Sequence, residues 1–165
     1  MTIGCFNAGI AAVIQSAQSG QYLLLRRAAD KDYAADAWEC MTGRVDQGES
    51  YEEALHREVQ EELGVRVRPV YILGTTHFYR GTPIPENELV GVVYLCMLDN
   101  PGSIRLSAEH SEYRWLVASQ VLELLTAMDP TTQWARRVIE RAELVRPLLP
   151  DCLLELQGEV SFEFG

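Results

Sequence analysis

Apolar and β-branched residues run from Ala8 to Gln15 and resume from Gln21 to Arg27, with the turn-forming Gln18-Ser19-Gly20 between them. The pair reads as a strand hairpin. Asp30 to Asp36 is polar and loop-like, and Trp38 to Met41 reads as a short strand that delivers Gly43. The period then changes: Leu55, Val59 and Leu63 recur every four residues between Ser50 and Gly64. That spacing predicts an amphipathic helix, started by a Ser50–Glu53 capping box and stopped by Gly64. Val65 to Phe78 alternates as a strand, with Pro69 assigning its first half to an edge or a bulge. Gly81 to Glu88 reads as a loop between strands, and Leu89 to Leu98 is an apolar run suited to a strand buried on both faces. Asn100-Pro101-Gly102 ends it, Tyr113 to Val117 forms another short strand, and a helical stretch runs from Ala118-Ser119 to about Met128. Asp129 and Pro130 open a further helix with Trp134, Val138, Ala142 and Val145 on one stripe, closed by Pro147 and Pro150. Glu159 to Phe164 alternates again, suited to an edge strand or to pairing with a second subunit.

Strands on both sides of one acidic helix, followed by further helices, predict an α/β (α+β) sandwich with a mixed sheet between helices. At 165 residues the chain is expected to form a single domain, with its core over about residues 8–147 and a tail over 148–165. A net charge of -10 and no basic stripe argue against a nucleic-acid polymer as partner. Cys5, Cys40, Cys96 and Cys152 are scattered without ligand spacing, as expected of small buried hydrophobes in a reducing cytosol. The N-terminal residues lack a basic leader, and no apolar stretch approaches the roughly 20 residues that cross a bilayer, so a soluble cytoplasmic protein is expected.

The run from Gly43 to Val65, GRVDQGESYEEALHREVQEELGV, holds seven acidic residues in 23 positions. Glu58, Glu61 and Glu62 stand at i, i+3 and i+4, which places three carboxylates on one helix face. Their repulsion works against the helix by a few tenths of a kcal/mol per pair unless a cation sits there, and a hard divalent ion is the natural candidate. Arg57 lies beside this stripe, placed to hold Glu49 or a helix glutamate in a fixed rotamer. Gly43, five residues, Glu49, seven residues, then Arg57-Glu58-Val59-x-Glu61-Glu62-x-Gly64-Val65 resembles the Nudix box at every defined position. The resemblance to the Nudix hydrolases covers about residues 8–147 and implies an α/β/α sandwich in which the box forms a loop, a helix and a loop. It implies Mg²⁺ or Mn²⁺ as cofactor, with Glu58, Glu61 and Glu62 as ligands and the Gly43 carbonyl assisting. Arg57 and Glu49 are assigned to orientation.

A general base is also required, and in that family it is a box glutamate or an acid on a later loop. Glu109 is the leading candidate there, ahead of Glu112. Trp38, Arg27 (or its neighbour Arg26), His77 and Tyr79 are candidate substrate contacts, while His56 is expected to face solvent and His110 to be either a loop residue or a catalytic one. The WECMTGRVDQGES and EHSEYRWL segments look most like enzymes acting on nucleoside triphosphates or dihydroneopterin triphosphate. The expected activity is therefore a metal-dependent pyrophosphohydrolase of such a small nucleotide-like substrate. Hydrolysis of a nucleoside diphosphate linked to another moiety, such as ADP-ribose or a nucleotide sugar, is the alternative, and a non-catalytic nucleotide-binding regulator a further one. The tail is compatible with a homodimer, and no membrane partner is expected.

Overall fold

A mixed sheet of seven strands forms the centre of the computed structural model, which describes residues 6–31, 33–154 and 161–164. Its strands are β1 (Asn7–Ser16), β2 (Tyr22–Arg27), β3 (Trp38–Glu39), β4 (Met41–Arg44), β5 (Arg68–Tyr79), β6 (Glu88–Leu98) and β7 (His110–Leu116). β1 pairs parallel with β6 over its whole length, from Asn7↔Leu89 to Ser16↔Leu98. Every other pairing is antiparallel. The β1–β2 hairpin is in register at Gln15↔Tyr22 and then opens. Chain 38–44 fills the wedge, pairing first as β3 with β2 and then as β4 with β1. This splayed hairpin sets Gly43 opposite Ile10, in the middle of the sheet end where the site forms.

Helices cover both faces. α1 (Tyr51–Leu63) buries Ala54, Leu55, Val59 and Leu63 against Ile10, Ala12, Ile14, Leu23 and Leu25. α2 (Ala118–Leu124) and α3 (Pro130–Val145) cover Ala11, Val13, Tyr22, Leu24, Val93 and Leu95 on the opposite face. The alternation of β1 between the two clusters is the period-two pleat expressed as packing. Each fully buried Leu or Val removes enough apolar surface to stabilise the fold by ~1.5–3 kcal/mol. The arrangement is the α/β/α sandwich expected from the sequence.

Several boundaries move for local reasons. β5 is an edge strand, and its register shifts at Pro69/Tyr71 and at Ile72/Gly74, the bulged behaviour expected of a strand carrying Pro69. A 3-10 turn, Pro85–Asn87, orders part of the loop before β6. α2 ends at Leu124 rather than near Met128, because Arg136 of α3 donates to the carbonyls of Leu122 (2.7 Å) and Leu125 (3.3 Å) and closes its C-terminus. β7 begins at His110, three residues before the expected start. A short helix, α4 (Asp151–Leu154), follows the proline turn after α3.

Residues 161–164 carry no strand pairing, contrary to the alternation of the tail, and Glu159 and Val160 lie outside the described residues. Instead the Phe162 ring packs 6.2 Å from Tyr94, the Phe162 amide donates to the Glu52 carboxylate, and the Glu52 amide donates to Glu163 Oε1 at 3.3 Å. Cys40 and Cys96 are buried and free, and burial pushes the Cys40 thiol up to about 12. Cys152 is free but exposed, and Cys5 lies outside the described residues. Among the described residues no helix is long and apolar enough to cross a membrane.

Candidate active site

α1 is fixed at both ends. The Glu53 amide donates to Ser50 Oγ at 3.2 Å and the Ser50 amide to Glu53 Oε2 at 2.9 Å, while Gly64 at φ 65° returns its amide to Gln60. With its apolar stripe buried, the helix turns Glu58 toward β4, where Glu58 Oε1 accepts the Arg44 amide at 3.1 Å. A Cβ on Gly43 would lie 2.3 Å from Glu58 Cγ, so only glycine lets this carboxylate lie against the β4 backbone.

Arg57 locks the arrangement. Its Nε and Nη2 clamp Glu49 at 2.6 and 2.9 Å, Nη2 also donates to the Arg44 carbonyl at 2.9 Å, and Nη1 reaches Glu58 at 3.0 Å and Glu61 at 3.3 Å. The Arg57 guanidinium holds Glu49 down to about 2, assisted by the Asp46 amide. Glu61 lies outward, its side chain 60% exposed, whereas Glu58 is 14% exposed.

Glu62, one turn beyond Glu58, is the most perturbed acid. Burial pushes its carboxyl up to about 8, reinforced by the negative charges of Glu58, Glu39 and Glu109 and opposed by Arg27. Glu58, Glu62, Gly43, Glu39 and Glu109 line one cavity of about 450 Å³, together with Arg27, His77 and Tyr79. Glu109 is paired with Lys31 at 2.6 Å, which holds its carboxyl below the usual range. Glu112 instead lies on β7 between Arg26 (3.7 Å) and Arg114 (2.7 Å).

Trp38 faces away from the carboxylates. It packs with the α2/α3 cluster under the Arg114 guanidinium, 4.8 Å from the ring centre, and lines an adjoining cavity of about 610 Å³. Arg27 is already engaged, donating to the Tyr33 carbonyl and to Glu39, each at 3.0 Å. His77 bonds Glu88 at 2.9 Å and meets the Tyr79 ring edge-on. His56 is half-buried rather than solvent-facing.

Phe78, the neighbour of His77 and Tyr79 in the same aromatic stretch, lines the cavity with them, and the cavity also takes residues that sequence reasoning passed over as site residues: Glu39, Tyr33, Thr76, Trp134 and Arg137. Trp134 was legible only as part of the α3 stripe, yet its indole N–H donates to Thr76 at 3.1 Å and its ring faces the cavity. The signal for Glu39 was its place beside Trp38, since neighbouring residues on a strand point to opposite faces.

The NUDIX domain family model matches residues 6–142 of this chain. The chain belongs to the Nudix family. It is 31% identical over 134 residues to an octanoyltransferase of Myxococcus xanthus, covering 81% of this chain but only 35% of that protein. It is also 31% identical over 110 residues to the nucleoside triphosphatase NudI of Klebsiella pneumoniae, covering 62% of this chain and 76% of that one. Among solved structures, the MutT protein of Methanosarcina mazei superposes with a TM-score of 0.70 at 26% identity, covering 88% of this chain and 99% of that chain. The chain spans less than half the length of the octanoyltransferase and of an RNA pyrophosphohydrolase of Shewanella piezotolerans, to which it is 36% identical over 81 residues, so fold and relatives together show a Nudix domain.

Nudix hydrolases use divalent cations, and the residues here fit one. The hard carboxylates of Glu58 and Glu62 line one cavity with Gly43, where a Cβ would fall on Glu58, and Glu62 is pushed up by burial and by neighbouring negative charge that a cation relieves. Among the described residues no three such side chains are gathered into a ready-made cluster, in keeping with Glu61 turned toward Arg57.

Proposed function

We propose that this Nudix hydrolase cleaves a phosphoanhydride bond of a nucleoside triphosphate, or of a similar triphosphate such as dihydroneopterin triphosphate, with Mg²⁺ or Mn²⁺. The observation that carries the reading is the division of the cavity walls. α1 and the approach to β7 contribute Glu58, Glu62 and Glu109, whereas the end of β5, the loop before β3, and α3 contribute Phe78, Tyr79, Tyr33, Trp134 and Arg137. Carboxylates suit a cation bound to phosphates, and rings suit a planar base. A cavity of about 450 Å³ has the volume for one nucleotide-sized molecule.

Glu58 and Glu62, with the Gly43 carbonyl, would hold the ion, and Glu61 would join them by releasing Arg57. When bound, a divalent ion masks phosphate charge and lowers the pKa of a coordinated water. The other roles fall to the chain itself. Arg57 keeps Glu58 and Glu49 in single rotamers, and Arg137 meets the anionic substrate from α3. Glu109, which lines the same cavity and is ionised beside Lys31, would accept the proton of the attacking water. The similarity to a nucleoside triphosphatase supports this substrate class.

A second reading has its own support. The adjoining cavity shares Tyr33, Tyr79, Pro130 and Thr131 with the first, which gives room for the second moiety of a nucleoside diphosphate derivative. A panel separates the two: GTP, dGTP, dihydroneopterin triphosphate, ADP-ribose and a nucleotide sugar, ranked by kcat/KM with Mg²⁺. The triphosphates are expected to lead with release of pyrophosphate. A preference of about 100-fold for the diphosphate compounds, ~3 kcal/mol in transition-state binding, would overturn the leading reading.

A further inference from the structure

Glu62 ends a row of buried side chains that the reaction scheme leaves unused. Arg27 Nη1 donates to Glu39 Oε1 at 3.0 Å, His110 Nε2 lies 3.2 Å from the same oxygen, and His110 Nδ1 lies 3.5 Å from Glu62 Oε2. The four side chains are 12%, 6%, 3% and 13% exposed. Such a row is expensive to bury unless every member is paired, and apolar residues of the same volume would fill the space at lower cost.

The backbone goes out of its way to build it. On β7, Tyr113 and Trp115 pack toward α1, while Glu112 and Arg114 point away. His110 has the parity of Glu112, so an unbroken strand would turn it away from α1 as well. Between Arg26↔Glu112 and Arg27↔His110 the register shifts, leaving Ser111 as an extra residue. That bulge flips His110 to the α1 side, opposite Arg27. Glu39 reaches the same side because Leu25, its partner on β2, faces α1. Arg27 is pinned through its Nε on the Tyr33 carbonyl, so Glu39 is held from behind.

One gap remains. Glu62 Oε2 and His110 Nδ1 are both buried without a hydrogen bond, and the 3.5 Å between them is just too long for a good one. With Nε2–H donating to Glu39, a neutral ring leaves Nδ1 as an acceptor, and a proton on Nδ1 as well, as in the imidazolium, is what lets the ring donate to both carboxylates.

We propose that Glu39 and His110 are positioning residues for Glu62: the imidazole, braced by Glu39, holds Glu62 Oε2 and so presents Oε1 to the divalent cation. This rests on the reading of Glu62 as a metal ligand. Arg27 completes the device by occupying Glu39, which keeps that carboxylate from competing for the ion.

The test compares wild type, His110→Ala, His110→Asn, Glu39→Gln and Glu62→Gln. Mn²⁺ binding is followed by the electron paramagnetic resonance of the free ion, and steady-state rates are measured against Mg²⁺ and against substrate. His110→Ala is expected to weaken Mn²⁺ binding 10-fold or more and to raise the Mg²⁺ requirement in step, as loss of an outer partner does. KM for substrate at saturating Mg²⁺ is expected to stay within about twofold. His110→Asn, whose amide stands near Nδ1, is expected to recover most of the affinity. Unchanged Mn²⁺ binding in His110→Ala beside a weakened Glu62→Gln overturns the inference alone. Unchanged binding in Glu62→Gln overturns the ligand reading beneath it. Should His110→Ala fail to fold, the isosteric Glu39→Gln carries the test: several-fold weaker Mn²⁺ binding supports the inference, and wild-type binding refutes it.

Discussion

Replacing Glu62 by glutamine should stabilise the metal-free protein while destroying its activity. Glu62 is 13% exposed, and its carboxyl is raised from 4.5 to about 8 by burial among Glu58, Glu39 and Glu109. An acid whose folded pKa lies above its unfolded value binds more protons folded than unfolded between the two. Its contribution to stability therefore falls as pH rises from about 4.5 to about 8 and is level above that. At ~1.4 kcal/mol per pK unit, the cost at pH 8 approaches ~4 kcal/mol as an upper bound. Relaxation of the site and entry of water leave ~1–2 kcal/mol, since charges in real sites feel an effective dielectric well above that of dry protein. Glutamine keeps the shape and has no charge to bury. Thermal melts in EDTA across pH 5–9 are expected to show wild type and Glu62→Gln close together at pH 5. At pH 8 the variant should lead by ~1–2 kcal/mol, or ~4 °C for a chain of this size. Excess Mg²⁺ should then raise wild type more than the variant. A Glu62→Gln protein less stable than wild type at pH 8 in EDTA would refute the reasoning, because the carboxylate would then be stabilising without a metal.

Other perturbations probe the supports. Arg57→Lys replaces a fork that holds Glu49, Glu58, Glu61 and the Arg44 carbonyl with a single point charge; a loss of ~10–100-fold in kcat/KM is expected from charged hydrogen bonds worth ~1.5–3 kcal/mol, and wild-type kinetics would contradict it. Gly43→Ala drives a methyl into Glu58, so metal activation should fall ~100-fold with a melting temperature lowered by only a few degrees; full activity would show that Glu58 does not need its place against β4. Asp129 accepts the Thr132 amide at 2.9 Å as the cap of α3, which holds its carboxyl below the usual range. Its stabilising share is therefore present above about pH 4 and lost as pH falls below it. Asp129→Ala should cost ~1 kcal/mol at pH 7 and progressively less as the pH falls below about 4, read by denaturant melts.

The acidic helix was fully legible because its signals are local: a capping box, a four-residue apolar repeat and a glycine stop all lie within Ser50 to Gly64. Glu58, Gly43 and Arg57 come together as the spacing implied, and Glu61 meets them through Arg57 while its side chain stays largely exposed. Strand parity was the blind spot. Trp38 stood out by its chemistry, yet on β3 its neighbour Glu39 faces the carboxylates, and which of two adjacent residues points inward is decided by pairing with β2. His110 was harder still. A bulge of one residue reverses its face, and no local signal in EHSEYRWL marks where the register slips. Residues 161–164 of the alternating tail are held otherwise than by strand pairing within the chain, since Phe162 packs partly buried against Tyr94 and its amide donates to Glu52 in the first turn of α1.

The central claim is that Glu58 and Glu62 hold a divalent cation that the hydrolysis needs. The most direct measurement is turnover of a nucleoside triphosphate by EDTA-treated enzyme as Mg²⁺ or Mn²⁺ is restored, in wild type and in Glu58→Gln. The wild type should be silent without the ion and recover fully with it, while Glu58→Gln should stay at least ~100-fold slower at any ion concentration with its fold intact. Turnover that survives EDTA, or that Glu58→Gln leaves unchanged, would contradict the account.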